Sequence, residues 1–433
     1  MLSNAITKTT RRAMLELLVM LGAVAVMIAP AHAEWSTYQG NAAHTGYVSG
    51  NIDTSNLSAR WSSPLMTSAL DNLAVGVGGV YVNGRYSVTD VNEQTGAILW
   101  NNVYDPNQMF FVTAPAYANG TVYYQSVDGS GHSLLNGVSA ATGSRVFATS
   151  YSNQFAAYLS PTPYAGVIYT GGGEYGGIYA YNGTTGAQDW FGYEAQYGGW
   201  TPAADGKYLY SYTGSGDQGT PYGQFRMIDP ATGSTTYLVA DNAYDSLGGN
   251  IGSAVVLGPH NDAFATNVAS VANPSPTLSG RLIAFSTLAD ATHTPQILWT
   301  ISDHFRGQAT LANGVLYAND NGNVVALDES TGSALWSWTP PTGSPIGPMI
   351  ATDNVLFLST GSTTYALDLV THQADWSFGV SGSLALSDNM LFVAGSNGTL
   401  YAFATPEPSF AIGFVSVGFC LLTRSRRRAQ LRL

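Results

Sequence analysis

Few side chains in this sequence stand at spacings that do chemistry. Outside the N-terminal leader the histidines are His44, His132, His260, His293, His304 and His372, with no pair at i,i+2 or i,i+4, so a zinc site of the usual kind has no support. Asn319-Asp320-Asn321-Gly322-Asn323 and Asp128-Gly129-Ser130-Gly131 have the look of calcium loops. Neither is followed by the acid that closes such a loop, and both read better as hairpin turns. No Gly-x-Ser-x-Gly elbow with a supporting Asp and His is present, and Gly214-Ser215-Gly216 is turn chemistry, not a phosphate loop. A glycosidase needs two facing carboxylates, and the sequence supplies many candidates without choosing among them. Tyr193, Tyr197, Trp200 and Tyr222 fall in turn-like, Gly-rich sequence where an aromatic face could stack on a sugar; packing between sheets is the competing reading. No catalytic, cofactor-binding or metal-ligating residue is therefore assigned.

Such side chains need a framework, and composition describes it. The chain has 433 residues, 10% charged, 45% hydrophobic, 12% aromatic, with 49 Gly and a net charge of −12. That apolar content excludes intrinsic disorder, and no short period suggests collagen or a coiled coil. The single cysteine, Cys420, excludes a disulfide scaffold. Residues 34–405 hold seven of the fifteen basic residues and 25 of the 27 acids, a balance of −18. Nucleic acid is thereby disfavoured as a partner, and divalent cations or neutral glycans are favoured.

The two ends read as addresses. Residues 1–33 carry Lys8, Arg11 and Arg12, an apolar run from Leu17 to Ala29, and Pro30-Ala31-His32-Ala33. This predicts a signal peptide cleaved after Ala33, with Ala31 and Ala33 as the small residues of the site. The apolar run is shorter than the ~20 residues of a permanent span. General secretion is favoured over twin-arginine export, because Glu16 stands where that signal prefers a base. At the other end, residues 405–433 contain Pro406-Glu407-Pro408, an apolar run from Phe410 to Leu422, and Arg424, Arg426, Arg427, Arg428 and Arg432. A short membrane run with a basic stop reads as a transient inner-membrane anchor. The order resembles the PEP-CTERM sorting signal. That resemblance implies recognition by an exosortase in a Gram-negative bacterium, removal of the tail, and delivery to the cell surface or extracellular matrix.

Between the ends the chain repeats. Ala326-Leu327-Asp328-Glu329-Ser330-Thr331-Gly332-Ser333-Ala334-Leu335-Trp336 reads as a strand, an Asp-capped turn with Gly at positive φ, and a strand ending in an aromatic. Successive aromatic marks fall at Trp100, Phe147, Trp190, Tyr237, Trp299, Trp336 and Trp376, mostly 37–47 residues apart. A period near 40–45 is that of four-stranded propeller blades. Phrases such as Ala312-Asn313-Gly314-Val315-Leu316-Tyr317 open each blade and number eight, the last at 388–392. The final blade lacks an outer strand, and Trp61 precedes Trp100 by 39 residues, in step with the period. The sequence thus predicts an all-β, eight-bladed β-propeller of four-stranded antiparallel blades over 34–404, its ring closed by an N-terminal strand joining the last blade. Trp61, Trp100, Trp190, Trp299, Trp336 and Trp376 are expected to dock neighbouring blades.

The Ala-x-Asp-x-x-Thr-Gly-x-x-x-Trp phrase resembles the repeats of quinoprotein-like (pyrroloquinoline-quinone-type) propellers. The opening Trp35-Ser36-Thr37-Tyr38-Gln39-Gly40-Asn41-Ala42-Ala43-His44-Thr45-Gly46 resembles the lead-in before their first blade. The family holds quinone-dependent alcohol dehydrogenases and also non-catalytic rings, such as the lipoprotein subunit of the outer-membrane β-barrel assembly machinery. The enzymes imply a quinone over calcium, acidic and amide ligands, a catalytic Asp, a stacking Trp and often a vicinal disulfide. The body of this chain has no cysteine, and Glu174 and Asp303, the imaginable calcium ligand and base, read better as solvated loop carboxylates. Pyrroloquinoline quinone and calcium are therefore not favoured. The expectation is an exported binding or scaffold module, with an envelope protein or extracellular polysaccharide as partner; the alternative is a quinone-dependent dehydrogenase or carbohydrate-active enzyme.

Overall fold

The protein is seen as a computed structural model, which describes residues 35–66, 68–128, 132–153, 160–173, 176–194, 201–214, 223–242, 254–267 and 280–404. Eight antiparallel sheets form an eight-bladed propeller. Blades 1 to 7 span residues 73–103, 109–152, 162–193, 203–241, 256–302, 305–338 and 345–378. Blade 8 holds Gly382–Ser387, Met390–Gly395 and Thr399–Ala404, and its outer strand is Ser58–Pro64 from the other end of the chain, paired antiparallel to Thr399–Ala404. The N-terminal closure expected from the Trp61 spacing is what the structure shows. In blade 2 the inner position is split between Met109–Val112 and Ala116–Ala118, which pair with one strand.

The blades form because their sequences alternate between strand runs and turns that few residues can make. The first hairpins turn at Asn119-Gly120 and Asn313-Gly314, with φ of 50° and 79° and of 51° and 79°. Two consecutive positive φ values define the type I′ turn that matches strand twist. In the last hairpin an Asp or Asn side chain caps the turn. Asp328 Oδ1 accepts from the Thr331 amide at 2.9 Å, and Asn182 Oδ1 from the Thr185 amide at 3.0 Å. The middle strands are buried on both faces, as in Val355–Thr360 and Met390–Gly395, because each lies between two neighbouring blades. Outer strands alternate instead, with Leu335 half exposed beside Trp336.

Blades dock through the aromatic of one outer strand and the last turn of the next blade. Trp61 Nε1 donates to Glu93 O at 2.9 Å, Trp100 Nε1 to Ala140 O at 2.7 Å, and Trp190 Nε1 to Pro230 O at 2.9 Å. Trp299 Nε1 donates to Glu329 O at 3.2 Å. The turn glycine sits under the indole: a Cβ on Gly143 would lie 2.8 Å from Trp100 Cδ2, and one on Gly233 2.4 Å from Trp190 Cε3. Glycine is thus required twice, for its φ near +70° and for the neighbour's ring. In blade 7 the residue is His372, and there Trp336 stacks on the imidazole at 4.4 Å. Trp376 meets blade 8, which has no such turn, and packs edge-on against Phe403 at 5.0 Å.

Candidate functional site

The axis of a propeller is bounded by its inner strands, each with one unpaired edge that must find hydrogen-bond partners. Here the chain supplies them itself. Residues 35–48 run once around the axis and touch blades 1 to 7 in order. Val75 N donates to Trp35 O and Tyr117 N to Ser36 O, both at 2.7 Å. Thr37 Oγ1 donates to Pro161 O at 2.7 Å. Ala204 N donates to Ala42 O at 2.8 Å, Leu257 N to Ala43 O at 2.9 Å, Leu311 N to Thr45 O at 2.8 Å and Ala351 N to Gly46 O at 2.8 Å. Gln39 Nε2 reaches across to Ala309 O at 3.1 Å. Gln39 and His44 both adopt φ of 56°, and Gly40 and Gly46 turn at positive φ, so the path bends at each of them and holds no more than one short 3-10 turn, Tyr38–Gly40.

His44 is fully buried, its Nδ1 3.1 Å from Val255 O, and burial pushes its pKa down to about 4. The imidazole is therefore neutral, and with Val255 O accepting, the proton sits on Nδ1. Most of the lead-in's bonds fall toward the carboxyl ends of the inner strands, so it partly fills that end of the axis. Beside it lies a narrow recess with about 10 Å³ of free space, room for about one water, lined by Trp35, Tyr38, Gln39, Asn72, Leu73, Ala114, Pro115, Pro348, Ser383 and Leu384. Two aromatics and two amides are present, but no lining residue carries charge. A quinone held over calcium calls for carboxylates at this position, so the recess does not fit that group.

Charged groups are buried at blade junctions instead. Arg226 of blade 4 donates to Glu194 O at 2.9 Å and lies 3.5 Å from Glu194 Oε2, at the end of blade 3. Arg281 of blade 5 donates to Asp241 Oδ1 of blade 4 at 3.2 Å, and Tyr212 OH also donates to Asp241, at 2.5 Å. Burial raises the Glu194 carboxyl despite Arg226. In blade 1 burial pushes Asp90 up to about 7. A third group joins blades 5 and 6: His260 Nδ1 lies 3.1 Å from Glu329 Oε1, and burial followed by the Glu329 charge pushes Asp262 up to about 7. Strand alternation gives no sign of these pairings, because their members lie 32 to 69 residues apart.

Tyr193 closes the outer strand Gln188–Tyr193, instead of lying in a turn, because Gly177 continues the pairing opposite it; the ring is half exposed. Tyr197, Trp200 and Tyr222 lie outside the described residues, as do Glu174, Ala31, Ala33, Pro406, Glu407, Pro408, Arg426, Arg427 and Arg428. The same holds for the apolar run of the sorting signal; among the described residues no helix is long and apolar enough to cross a membrane. Asp303 is a half-exposed carboxylate 2.7 Å from its neighbour His304 Nδ1. A polar groove opens between blades 1 and 2, where Asn101, Asn102, Tyr104, Tyr124, Asn136 and Arg145 converge.

No curated protein matches the chain by sequence. Among solved structures, the computationally designed Ika8 protein matches with a TM-score of 0.61 at 14% identity, over 80% of this chain and 99% of that one. BamB from Moraxella catarrhalis matches at 0.56 and 16%, over 80% and 97%. A europium-containing methanol dehydrogenase matches at 0.59 and 14%, over 86% and 98%. At these identities the likeness is one of fold. The family model described as outer membrane protein assembly factor BamB (PQQ_2) matches residues 52–190, 84–236 and 279–407. Together these matches cover well over half of the sequence, and the chain belongs to this family of PQQ-type propellers.

Proposed function

We propose that this chain is a non-catalytic binding or scaffold ring, exported from a Gram-negative cell and retained at its surface or in its extracellular matrix. The observation that carries this reading is the lead-in. The centre of the ring, where a propeller enzyme would hold a cofactor, is partly filled by residues 35–48, and the adjoining recess has a neutral lining. What the ring offers a partner lies outside. Leu99, Leu298 and Leu335 each precede a docking Trp and are about half exposed on the rim. The groove of blades 1 and 2 presents amide, phenol and guanidinium groups, suited to the hydroxyls of a neutral glycan or to a peptide backbone. The acidic balance of −18 in residues 34–405 disfavours nucleic acid. Envelope proteins and extracellular polysaccharide are accordingly the proposed partners, with exosortase acting on the tail during sorting.

The test is titration of the purified chain with pyrroloquinoline quinone in calcium buffer, followed by a dye-linked alcohol oxidation assay. The expected result is no saturable quinone binding and no turnover. Stoichiometric binding with alcohol oxidation would replace this reading by the dehydrogenase one.

A further inference from the structure

The group formed by His260, Asp262 and Glu329 has the properties of a built site. Asp262 opens the second strand of blade 5, His260 stands in the turn before it, and Glu329 follows the third strand of blade 6. One ligand atom from each lies within 4.8 Å of the other two. Both carboxylates are more than nine-tenths buried, at 5% and 3% exposure, yet Asp262 Oδ1 and Glu329 Oε2 have no hydrogen-bond partner. Among the described residues, His260 is the one basic side chain paired with either acid. A Cβ on Gly258 would lie 2.1 Å from Asp262 Oδ1 and 2.8 Å from Glu329 Oε1, so the glycine keeps open the space on which the two acids converge.

Two adjacent buried carboxylates cannot both ionise without a counter-charge, and unpaired buried oxygens cost several kcal/mol. A bound cation meets both demands. We propose that His260, Asp262 and Glu329 bind one divalent first-row transition-metal ion of the zinc or manganese class, clamping blade 5 to blade 6. One imidazole and two carboxylates suit such an ion, whereas calcium and magnesium prefer all-oxygen shells. Tetrahedral bonds of ~2.0 Å space ligand atoms by roughly 3.3 Å, close to the 3.1 Å between His260 Nδ1 and Glu329 Oε1. The His260 side chain is 73% exposed, which gives an ion entry and leaves a fourth position to water. This clamp is independent of what the ring binds.

The test uses the full chain, purified without a histidine tag and stripped with chelator. Equilibrium dialysis with zinc alone is expected to load one ion per chain, unaffected by millimolar calcium, and to raise the melting temperature. His260→Ala changes an exposed side chain and should leave the circular dichroism spectrum intact. It is expected to weaken zinc binding by at least the ~10–100-fold that loss of a supporting partner costs. Asp262→Asn is expected to abolish the zinc-dependent shift in melting temperature. Less than one zinc per chain at saturation, or an affinity unchanged in folded His260→Ala, overturns the proposal.

Discussion

Gly143→Ala tests how the blades are joined. The substitution faces two costs that the structure separates. First, Gly143 sits at φ +68°, and an alanine in the left-handed region costs ~1–2 kcal/mol. Second, its Cβ would lie 2.8 to 3.0 Å from three atoms of the Trp100 ring. Trp100 is only 8% exposed and its indole is tied to Ala140 O, so it cannot swing away. Overpacking of this kind costs a further ~1–3 kcal/mol. Gly120 in the same blade is the control: its φ is +79°, and nothing lies within 4 Å of a Cβ there. At about 2.1 cal/mol/K of unfolding entropy per residue, a ring of ~370 residues loses roughly 1.3 °C per kcal/mol. Calorimetry should then show Gly143→Ala lowering the midpoint by ~3–6 °C and Gly120→Ala by ~1–3 °C. In a Trp100→Ala background the packing cost should vanish, leaving a coupling of ~1–3 kcal/mol. Equal shifts for the two glycines, with additive effects in the cycle, would refute the docking scheme.

Two further predictions concern buried charge. Asp90 keeps its proton in the folded ring up to about pH 7, while the unfolded chain releases it near 3.8, so stability falls as pH rises through this window, by up to ~4 kcal/mol. His44 acts oppositely: the unfolded chain takes a proton below about 6.5 and the folded one resists until about 4, so stability falls as pH drops, by up to ~3 kcal/mol. Asp262 slopes the same way as Asp90 over this window, so the readout is the difference between chains. In urea unfolding, the stability of Asp90→Asn relative to the parent should climb as pH rises from 4 to 7, and a profile parallel to the parent chain's would contradict the assignment. Arg281→Met should cost ~3–5 kcal/mol by leaving Asp241 buried beside Tyr212 without its cation, and adding Asp241→Leu should recover most of that loss. No recovery in the double variant would mean that packing by the arginine stem, and not charge, is what Arg281 contributes.

Much of the fold is legible in the sequence because each blade is a local unit. The Asp-x-x-Thr-Gly turn and the aromatic after it repeat with the blade, and the same period carries Trp61 into the last sheet. What the sequence conceals is contact between units. The Gly of one blade and the Trp of the blade before it belong to one docking site, yet they stand about 43 residues apart, as Trp100 and Gly143 do. His260, Asp262 and Glu329 are likewise unremarkable until two blades bring them together. The lead-in is hidden for a different reason. Its irregular backbone has no period, so the resemblance of residues 35–46 to a family lead-in marks the segment without showing that it runs around the axis. Tyr193 shows the limit of turn composition: a Gly-rich stretch still extends a strand when its partner strand continues.

The occupation of the axis by residues 35–48 most distinguishes this ring from one open to a cofactor. Amide hydrogen exchange of the intact chain, read at residues 36–48 and at Val75, Tyr117, Ala204, Leu257, Leu311 and Ala351, tests it directly. These inner-strand amides donate to the lead-in, and Gly40, His44, Gly46 and Val48 donate within it or to blade 7. Protection at both sets comparable to that of the buried middle strands is the predicted result. Exchange at the rate of an open loop in residues 36–48, with the inner-strand amides equally unprotected, would contradict it and leave the centre of the ring free for a ligand.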